Sequence, residues 1–251
     1  MVWTERRRKP VSEFSTADVQ LADTLETLED KANYTAWIFE LVEPYLGARV
    51  LEVGAGHGTI TARLAHEGRH VVATDLSARC VRILEEKFAA EPNVEILTGS
   101  IDVAAASGPY DTAVLVNVLE HIEDDQEALH QLASLLAPGG RLILWVPAFN
   151  FLYSDFDRKI GHFRRYRIRD LRQKLSQAGL EANEVRYVNP IGAVGWFLLA
   201  RVLRRDPVSV RPVDLLDRYL IPVLKVLDRH VRLPFGQSVF VASARSAHLG
   251  K

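Results

Sequence analysis

Sulfur is scarce in this sequence. Cys80 is the single cysteine of 251 residues, so no intrachain disulfide and no cysteine-rich metal site can form. That usage fits a reducing compartment, and a cytoplasmic location is the expectation. A charge excess of either sign is also lacking. The chain has 31 Lys+Arg against 32 Asp+Glu, a formal net charge of −1. Bulk attraction to nucleic acid or to an anionic membrane is therefore not implied, and such a partner would need a local patch. Long apolar runs are missing as well. A bilayer span takes roughly 20 apolar residues, and the longest candidate, IGAVGWFLLARVLRR from Ile191 to Arg205, becomes charged too early. The opening MVWTERRRKP has basic residues with no apolar stretch behind them, which does not read as a secretory signal. What is present is ordinary for a globular chain: 48% hydrophobic and 25% charged residues. The length suits one α/β domain with appended elements.

The first residues, to about 15, are polar and basic. From Leu21 the pattern turns helical. Trp37, Ile38, Leu41, Val42 and Tyr45 then lie on one stripe of a helix, which Pro44 bends or ends. Strand and helix patterns alternate from there. RVLEVG, HVVATDL (70–76), VEILTG (94–99), YDTAVLVNV (110–118) and RLILWVP (141–147) read as strands. Between them, 77–90 reads as a helix capped by Ser77, and 124–137 as a helix ended by Pro138, Gly139 and Gly140. Several strands are apolar on both faces, as in a parallel sheet covered by helices. This alternation predicts a doubly wound α/β fold. Beyond Pro147 come an aromatic, charged stretch (148–166), a helix (167–179) and a sixth strand (184–189). Two apolar-basic segments (191–205 and 213–230) and a last strand (237–245) follow, with no internal repeat or linker.

The stretch VLEVGAGHGT, Val50 to Thr59, places Gly54, Gly56 and Gly58 directly after a strand, with Glu52 inside it. Such a turn into a helix brings backbone N–H groups against a ligand that side chains would obstruct. Asp75 follows at the end of the second strand, where a carboxylate accepts hydrogen bonds from a ribose. The pair reads as an adenosine-containing cofactor. The spacing is G-x-G-x-G rather than the G-x-G-x-x-G of dinucleotide sites. Glu52 would repel a pyrophosphate but tolerate a cationic group. S-adenosylmethionine, with a sulfonium and an ammonium, fits better than NAD.

The ordered set VLEVGAGHGTIT, VVATDLS, GSIDV, YDTAVLVNVLEHI and LLAPGGRLILWVP resembles the class I S-adenosylmethionine-dependent methyltransferases over residues 50 to about 147. The flanks NYTAWIFELVEPYLG, GHFRRY and PFGQSVFVASAR resemble a bacterial small-molecule subgroup often described with secondary-metabolite genes. The resemblance implies a Rossmann-like seven-stranded sheet whose last strand is antiparallel. It also implies N-terminal helices and a helical insertion before that strand. It implies a single domain over 1–251: a helical cap (1–46), a cofactor-binding half (47–147) and a substrate-side half (148–251) with the insertion at 191–232. Gly54, Gly56 and Gly58 would back the methionine part and ribose, and Glu52 would face the same pocket. Asp75 would hold the ribose and Leu76 pack on the adenine. Ser100, Ile101 and Asp102 would lie where the adenine is read, and Asn117 and Val118 where the backbone meets the methionine end. Tyr34 and Trp37 would close over that end or simply pack the helix. His57 matches no functional position, and S-adenosylhomocysteine would be the product.

Methyl transfer from a sulfonium needs mainly proximity and alignment. A base is required only for a protonated acceptor. His121, in LEHI, is one candidate; alternatively it and Glu120 orient the loop and the cofactor. His162 is the second candidate. Tyr153, Asp157, Arg164, Arg165 and Tyr166 share the segment with His162 and could hold an acidic acceptor, Arg165 being the best suited to an anion. Their alternative is a salt-bridged loop. No His/Cys cluster and no H-E-x-x-H is present, so no metal is expected. Cys80 reads as core. In 213–230, Leu216, Leu220, Val223, Leu224 and Leu227 form an apolar stripe, and Pro222 is expected to kink it.

The expected function is methyl transfer to oxygen or nitrogen of a small molecule in secondary metabolism, by a monomer or homodimer without nucleic-acid partners. One alternative is a lipid-linked sugar or polyprenyl acceptor reached by peripheral membrane contact through 191–232, since 201–232 holds eight Lys/Arg against four Asp. Another, of a different class, is a non-catalytic cofactor-binding module.

Overall fold

The structure, a computed structural model, describes residues 32–202 and 216–246. The helical pattern from Leu21 and residues 203–215 of the insertion lie outside the described residues. Seven strands form one sheet: β1 Arg49–Val53, β2 His70–Asp75, β3 Val94–Thr98, β4 Tyr110–Val116, β5 Leu136–Pro147, β6 Leu180–Val188 and β7 Ser238–Arg245. Their order is β3-β2-β1-β4-β5-β7-β6. The first five run parallel, while β7 is antiparallel to both β5 and β6. This is the expected doubly wound, seven-stranded sheet with its last strand reversed. The chain winds outward from β1 to β3, then crosses back to β4. The crevice at that reversal, outside the carboxyl ends of β1 and β4, is where ligands bind in such sheets.

The α-helices in chain order are α1 Ala32–Val42, α2 Thr59–Leu64, α3 Ala78–Lys87, α4 Asp125–Leu135, α5 Asp155–Lys159, α6 Ile168–Gln177, α7 Pro190–Trp196 and α8 Ile221–His230. Period-two alternation along the strands sends side chains into two separate cores. Leu51, Val53, Leu115, Leu144 and Val241 pack on one side against Leu129 and Leu132 of α4 and Leu171 and Leu175 of α6. Val50, Val71, Val114, Ile143 and Phe240 pack on the other against α1, α2, α3 and α8. Cys80 is a buried member of α3.

Local chemistry sets the ends. Pro44 stops α1, and a 3-10 turn, Glu43–Tyr45, follows. Ser77 caps α3 by accepting from the Cys80 N–H, and Asp124 caps α4 by accepting from the Glu127 N–H at 3.0 Å. Three boundaries differ from the sequence reading. First, α4 ends at Leu135, and β5 already begins at Leu136, which pairs with Tyr110 before the register jumps to Thr112–Arg141. Pro138–Gly139–Gly140 is therefore a bulge inside β5 rather than a helix stop. Gly139 takes a φ of 76° there, and a side chain on Gly140 would come within 2.9 Å of the Tyr110 backbone oxygen. Second, β6 starts at Leu180, because its buried side chain continues the core layer. Third, the described part of 213–230 is an unbroken helical run but not a uniform α-helix. A π-helical stretch, Leu216–Leu220, passes directly into α8, and the change falls beside Pro222, the position expected to bend the helix. Leu220 and Leu224 face the core, but Val223 is 62% exposed. The side chains of Leu216 and Leu227 lie outside the described residues.

The insertion is tied to α1. The Asp217 carboxylate accepts from the backbone N–H groups of Asn33 (3.2 Å) and Tyr34 (2.9 Å), and Lys225 pairs with Glu40. Among the described residues no helix is long and apolar enough to cross a membrane.

Candidate active site

At the carboxyl end of β1 the chain makes a tight left-handed turn. Gly54, Gly56 and Gly58 have φ values of 72°, 57° and 79°, a region that costs other residues strain. A Cβ on Gly54 would also lie 2.5 Å from Val118 Cγ2, so Val118, just past β4, covers this glycine. The Gly54 and Ala55 N–H groups donate to Thr74 O. The Gly56 N–H donates to Asp75 Oδ2 at 2.9 Å, and the Ser77 N–H to Asp75 Oδ1 at 2.8 Å. Asp75 thus braces the glycine turn as well as marking the end of β2. Burial holds its carboxyl above the usual range despite those bonds. Beside it Leu76 is 77% exposed, an apolar surface at the sheet's ligand edge. Asp102 is exposed, whereas Ile101 turns into the core layer instead of facing the edge. Ser100 precedes the 3-10 helix Ile101–Ser107. Asn117 adopts a φ of 54° and donates its N–H to Trp145 O at 2.7 Å.

Glu52 alternates away from Leu51 and Val53 and is buried beneath the turn. Thr61 Oγ1 donates to its Oε2 at 2.6 Å. Burial, with the neighbouring Asp75, pushes its carboxyl up to about 8 against the opposing effects of Thr61 and Lys87. Positive-φ glycines and two carboxylates at one strand edge suit a ribose and a cationic amino-acid end, and they oppose a pyrophosphate. Trp37 is 1% exposed. Its ring and that of Tyr34 each meet Trp145 edge-on at 6.0 Å, so Trp37 packs the core rather than closing over the site. Burial raises the Tyr34 hydroxyl to about 12.

A second group lies at the carboxyl end of β4. The 3-10 turn Leu119–His121 carries Glu120 and His121. The Phe163 N–H donates to Glu120 O at 2.9 Å and holds the later segment, with His162, against it. The rings of His121 and His162 stand edge-on at 4.6 Å. His162 Nδ1 lies 2.8 Å from Asp157 Oδ1, and its Nε2 is 3.7 Å from Glu120 Oε1. Burial pushes Glu120 up to about 8. Burial and then the neighbouring His162 push His121 down to about 4.

The acceptor-side residues expected from the sequence are committed to one another. Arg165 is 4% exposed, and its Nε and Nη2 donate to Asp157 at 2.7 and 3.0 Å. Its guanidinium stacks 4.6 Å over the Trp196 ring. The anion-binding role expected of Arg165 is thereby taken up internally. Burial would raise Asp157, but the bonds from His162 and Arg165 hold it down at about 2. The Tyr166 hydroxyl donates to Asp125 Oδ2, and Arg164 pairs with the same carboxylate at 2.9 Å. Both therefore serve the layer behind the site. Tyr153 donates its hydroxyl to His162 O at 2.7 Å and positions that loop. The salt-bridged loop is thus the arrangement observed.

No metal-ligand cluster was expected from the linear sequence, yet the folded chain brings three potential ligands together. Glu120, His121 and His162 bring one ligand atom each to within 4.8 Å of one another. The two histidines lie far apart in the sequence. Their convergence, and the part of Glu120 in it, depends on the β4–β5 crossover, which no local spacing records. The contact of Asp217 with α1 likewise joins segments far apart in the sequence.

Comparison with known proteins agrees with this geometry. A family model described as a methyltransferase domain matches residues 16–185. A ubiquinone biosynthesis O-methyltransferase of Xylella fastidiosa is 33% identical over 40% of this chain and 42% of its own length. A demethylmenaquinone methyltransferase of Clavibacter sepedonicus is 29% identical over 49% of this chain and 51% of its own. The chain thus matches about half or less of the length of these curated relatives. The solved N-methyltransferase NodS of Bradyrhizobium japonicum, in complex with S-adenosylhomocysteine, shares the fold with a TM-score of 0.61 at 15% identity, over 92% of this chain and 99% of that one. With its glycine turn, its strand-end acids and its sheet order, the chain belongs to the methyltransferase-domain family.

Proposed function

We propose that the protein methylates a small-molecule acceptor at oxygen or nitrogen, with a hydroxyl oxygen as the favoured atom. The observation that carries this reading is the Asp157–His162 pair. Asp157 accepts from Nδ1 of His162, which leaves the lone pair on Nε2, 3.7 Å from Glu120 Oε1 at the end of β4. A hydroxyl must lose its proton during methylation, whereas a neutral amine need not. The bound donor supplies a methyl group on a sulfonium. Gly54, Gly56 and Gly58 let the backbone approach it, Asp75 offers its remaining lone pairs to the ribose hydroxyls, and Leu76 and Asp102 border the adenine. Glu52 balances the cationic end, and Asn117 and Val118 set its distance from the acceptor. His162 takes the acceptor proton, and His121 packs beside it. The names of the curated relatives favour quinone biosynthesis over the secondary metabolism suggested by the flanks.

The test is transfer of labelled methyl from S-adenosylmethionine to matched phenolic and amine acceptors. The expected result is transfer to the phenols, with kcat in His162→Ala lowered by roughly 10²–10⁴-fold and S-adenosylhomocysteine affinity unchanged. Transfer to amines only, or full activity in His162→Ala, would overturn the reading. A second reading, a lipid-linked acceptor at a membrane surface, is favoured by exposed apolar residues on the insertion: Val194, Phe197, Leu198, Val202, Tyr219 and Val223.

A further inference from the structure

Glu120 stands out among the described residues because both oxygens of its carboxylate lack a partner on any other residue. It is fully buried, and beyond its own backbone N–H neither carboxylate oxygen finds a hydrogen-bond donor among the described residues. Buried polar groups are nearly always satisfied, and one that is not calls for an ion, a water or a chemical role. A direct bond to His162 does not account for it, because 3.7 Å exceeds hydrogen-bond range. That spacing suits two atoms bound to one ion. Bonds of 2.0–2.1 Å in a tetrahedral site put ligand atoms roughly 3.3 Å apart. The third ligand atom, on His121, lies within 4.8 Å of both, so small side-chain rotations close the set.

The surroundings match as well. Metal-bound histidines usually donate their other ring N–H to a carboxylate, which fixes the tautomer and raises ligand basicity. Asp157 stands in that position on Nδ1 of His162, and it is itself held by Arg165 and by the N–H and hydroxyl of Ser154. The side chain of His162 is 8% exposed and that of Glu120 wholly buried, so the cluster is screened from bulk water.

We propose that Glu120, His121 and His162 form a binding site for a divalent transition-metal cation at the carboxyl end of β4. One carboxylate and two imidazoles favour a borderline ion such as Zn²⁺ or Mn²⁺; Mg²⁺ and Ca²⁺ prefer all-oxygen sets. Three protein ligands leave coordination positions open for oxygen atoms of a bound molecule. This replaces the sequence expectation that the protein holds no metal. The use of the site in catalysis rests on the acceptor reading above, whereas cation binding does not.

The test is titration of the metal-free full chain with Co²⁺, followed by visible absorption, with Zn²⁺ as competitor. One Co²⁺ per chain, displaced by Zn²⁺, is expected. Glu120→Gln and His162→Gln should each weaken binding at least tenfold while S-adenosylhomocysteine binding, which reports the fold, is retained. In the wild-type chain, Mn²⁺ should selectively broaden the ring-proton resonances of His121 and His162 among the eight histidines. No stoichiometric Co²⁺ binding overturns the proposal. So does variant affinity within threefold of wild type, or broadening centred on other histidines. None of these readouts depends on methyl transfer, so failure of the acceptor reading would leave them unmoved.

Discussion

Glu52 ties proton binding to donor binding. Its folded value is raised from 4.5 to about 8. Between those values the folded chain holds a proton that the unfolded chain has released. Its contribution to stability is therefore fully favourable below about 4.5 and is lost as pH rises toward about 8. A cationic ligand favours the ionised carboxylate, so ligand binding should release a proton from it. The affinity for S-adenosylhomocysteine, which keeps the ammonium, should rise from pH 6 to pH 9. Glu52→Gln should flatten that rise, as calorimetry at several pH values would show; an equal slope in the variant would refute the coupling. Glu52, the glycines and Asp75 were legible in the sequence because they lie in two adjacent strand–turn units, where spacing alone fixes their proximity. Arg165 was misjudged because its partner, Asp157, is recruited by a helix turn, and a sequence does not state which of several nearby acids a cation will choose.

Helix α5 is a single capped turn, and the buried Asp157–Arg165 pair anchors it. Removing one partner of such a pair leaves a desolvated charge, at a cost of about 3–5 kcal/mol. Arg165→Met should lower unfolding stability by that order in urea titrations. Asp157 is depressed to about 2, so its contribution is present above the ordinary carboxylate range and fades as pH falls through about 2. The variant should therefore lose most of its deficit relative to wild type in strong acid; a deficit constant with pH would count against the pair as its source. Elements with clean periodicity, such as β1, β2 and α3, fell where expected. The early start of β5 did not, because a proline–glycine pair reads as a stop whether it ends a helix or bulges from a strand. Only the pairing of Leu136 with Tyr110 decides between them.

On the scale of the whole molecule, the sheet order follows from alternation and from the rules of parallel crossovers, so the fold was the most legible feature. The insertion was not. Of the apolar stripe in 213–230, Leu220 and Leu224 reach the core while Val223 stays exposed, as do Phe197, Leu198 and Val202, and Asp217 and Lys225 clamp the segment to α1. If that surface meets lipid, the full chain should sediment with anionic vesicles at low salt, and Phe197→Asp with Val223→Asp should abolish it; no sedimentation of the wild type would remove the membrane reading. The place of β7 has a consequence of another kind. It is the last strand in sequence but an interior one in space, pairing Ser243 with Leu142 across 101 positions. During synthesis β1 to β5 can assemble first, with the outer edge of β5 bare and β6 without a neighbour. The half of the sheet that holds the methyl donor can therefore take shape while the far side is still an open seam, closed only when the final strand slides between its two partners.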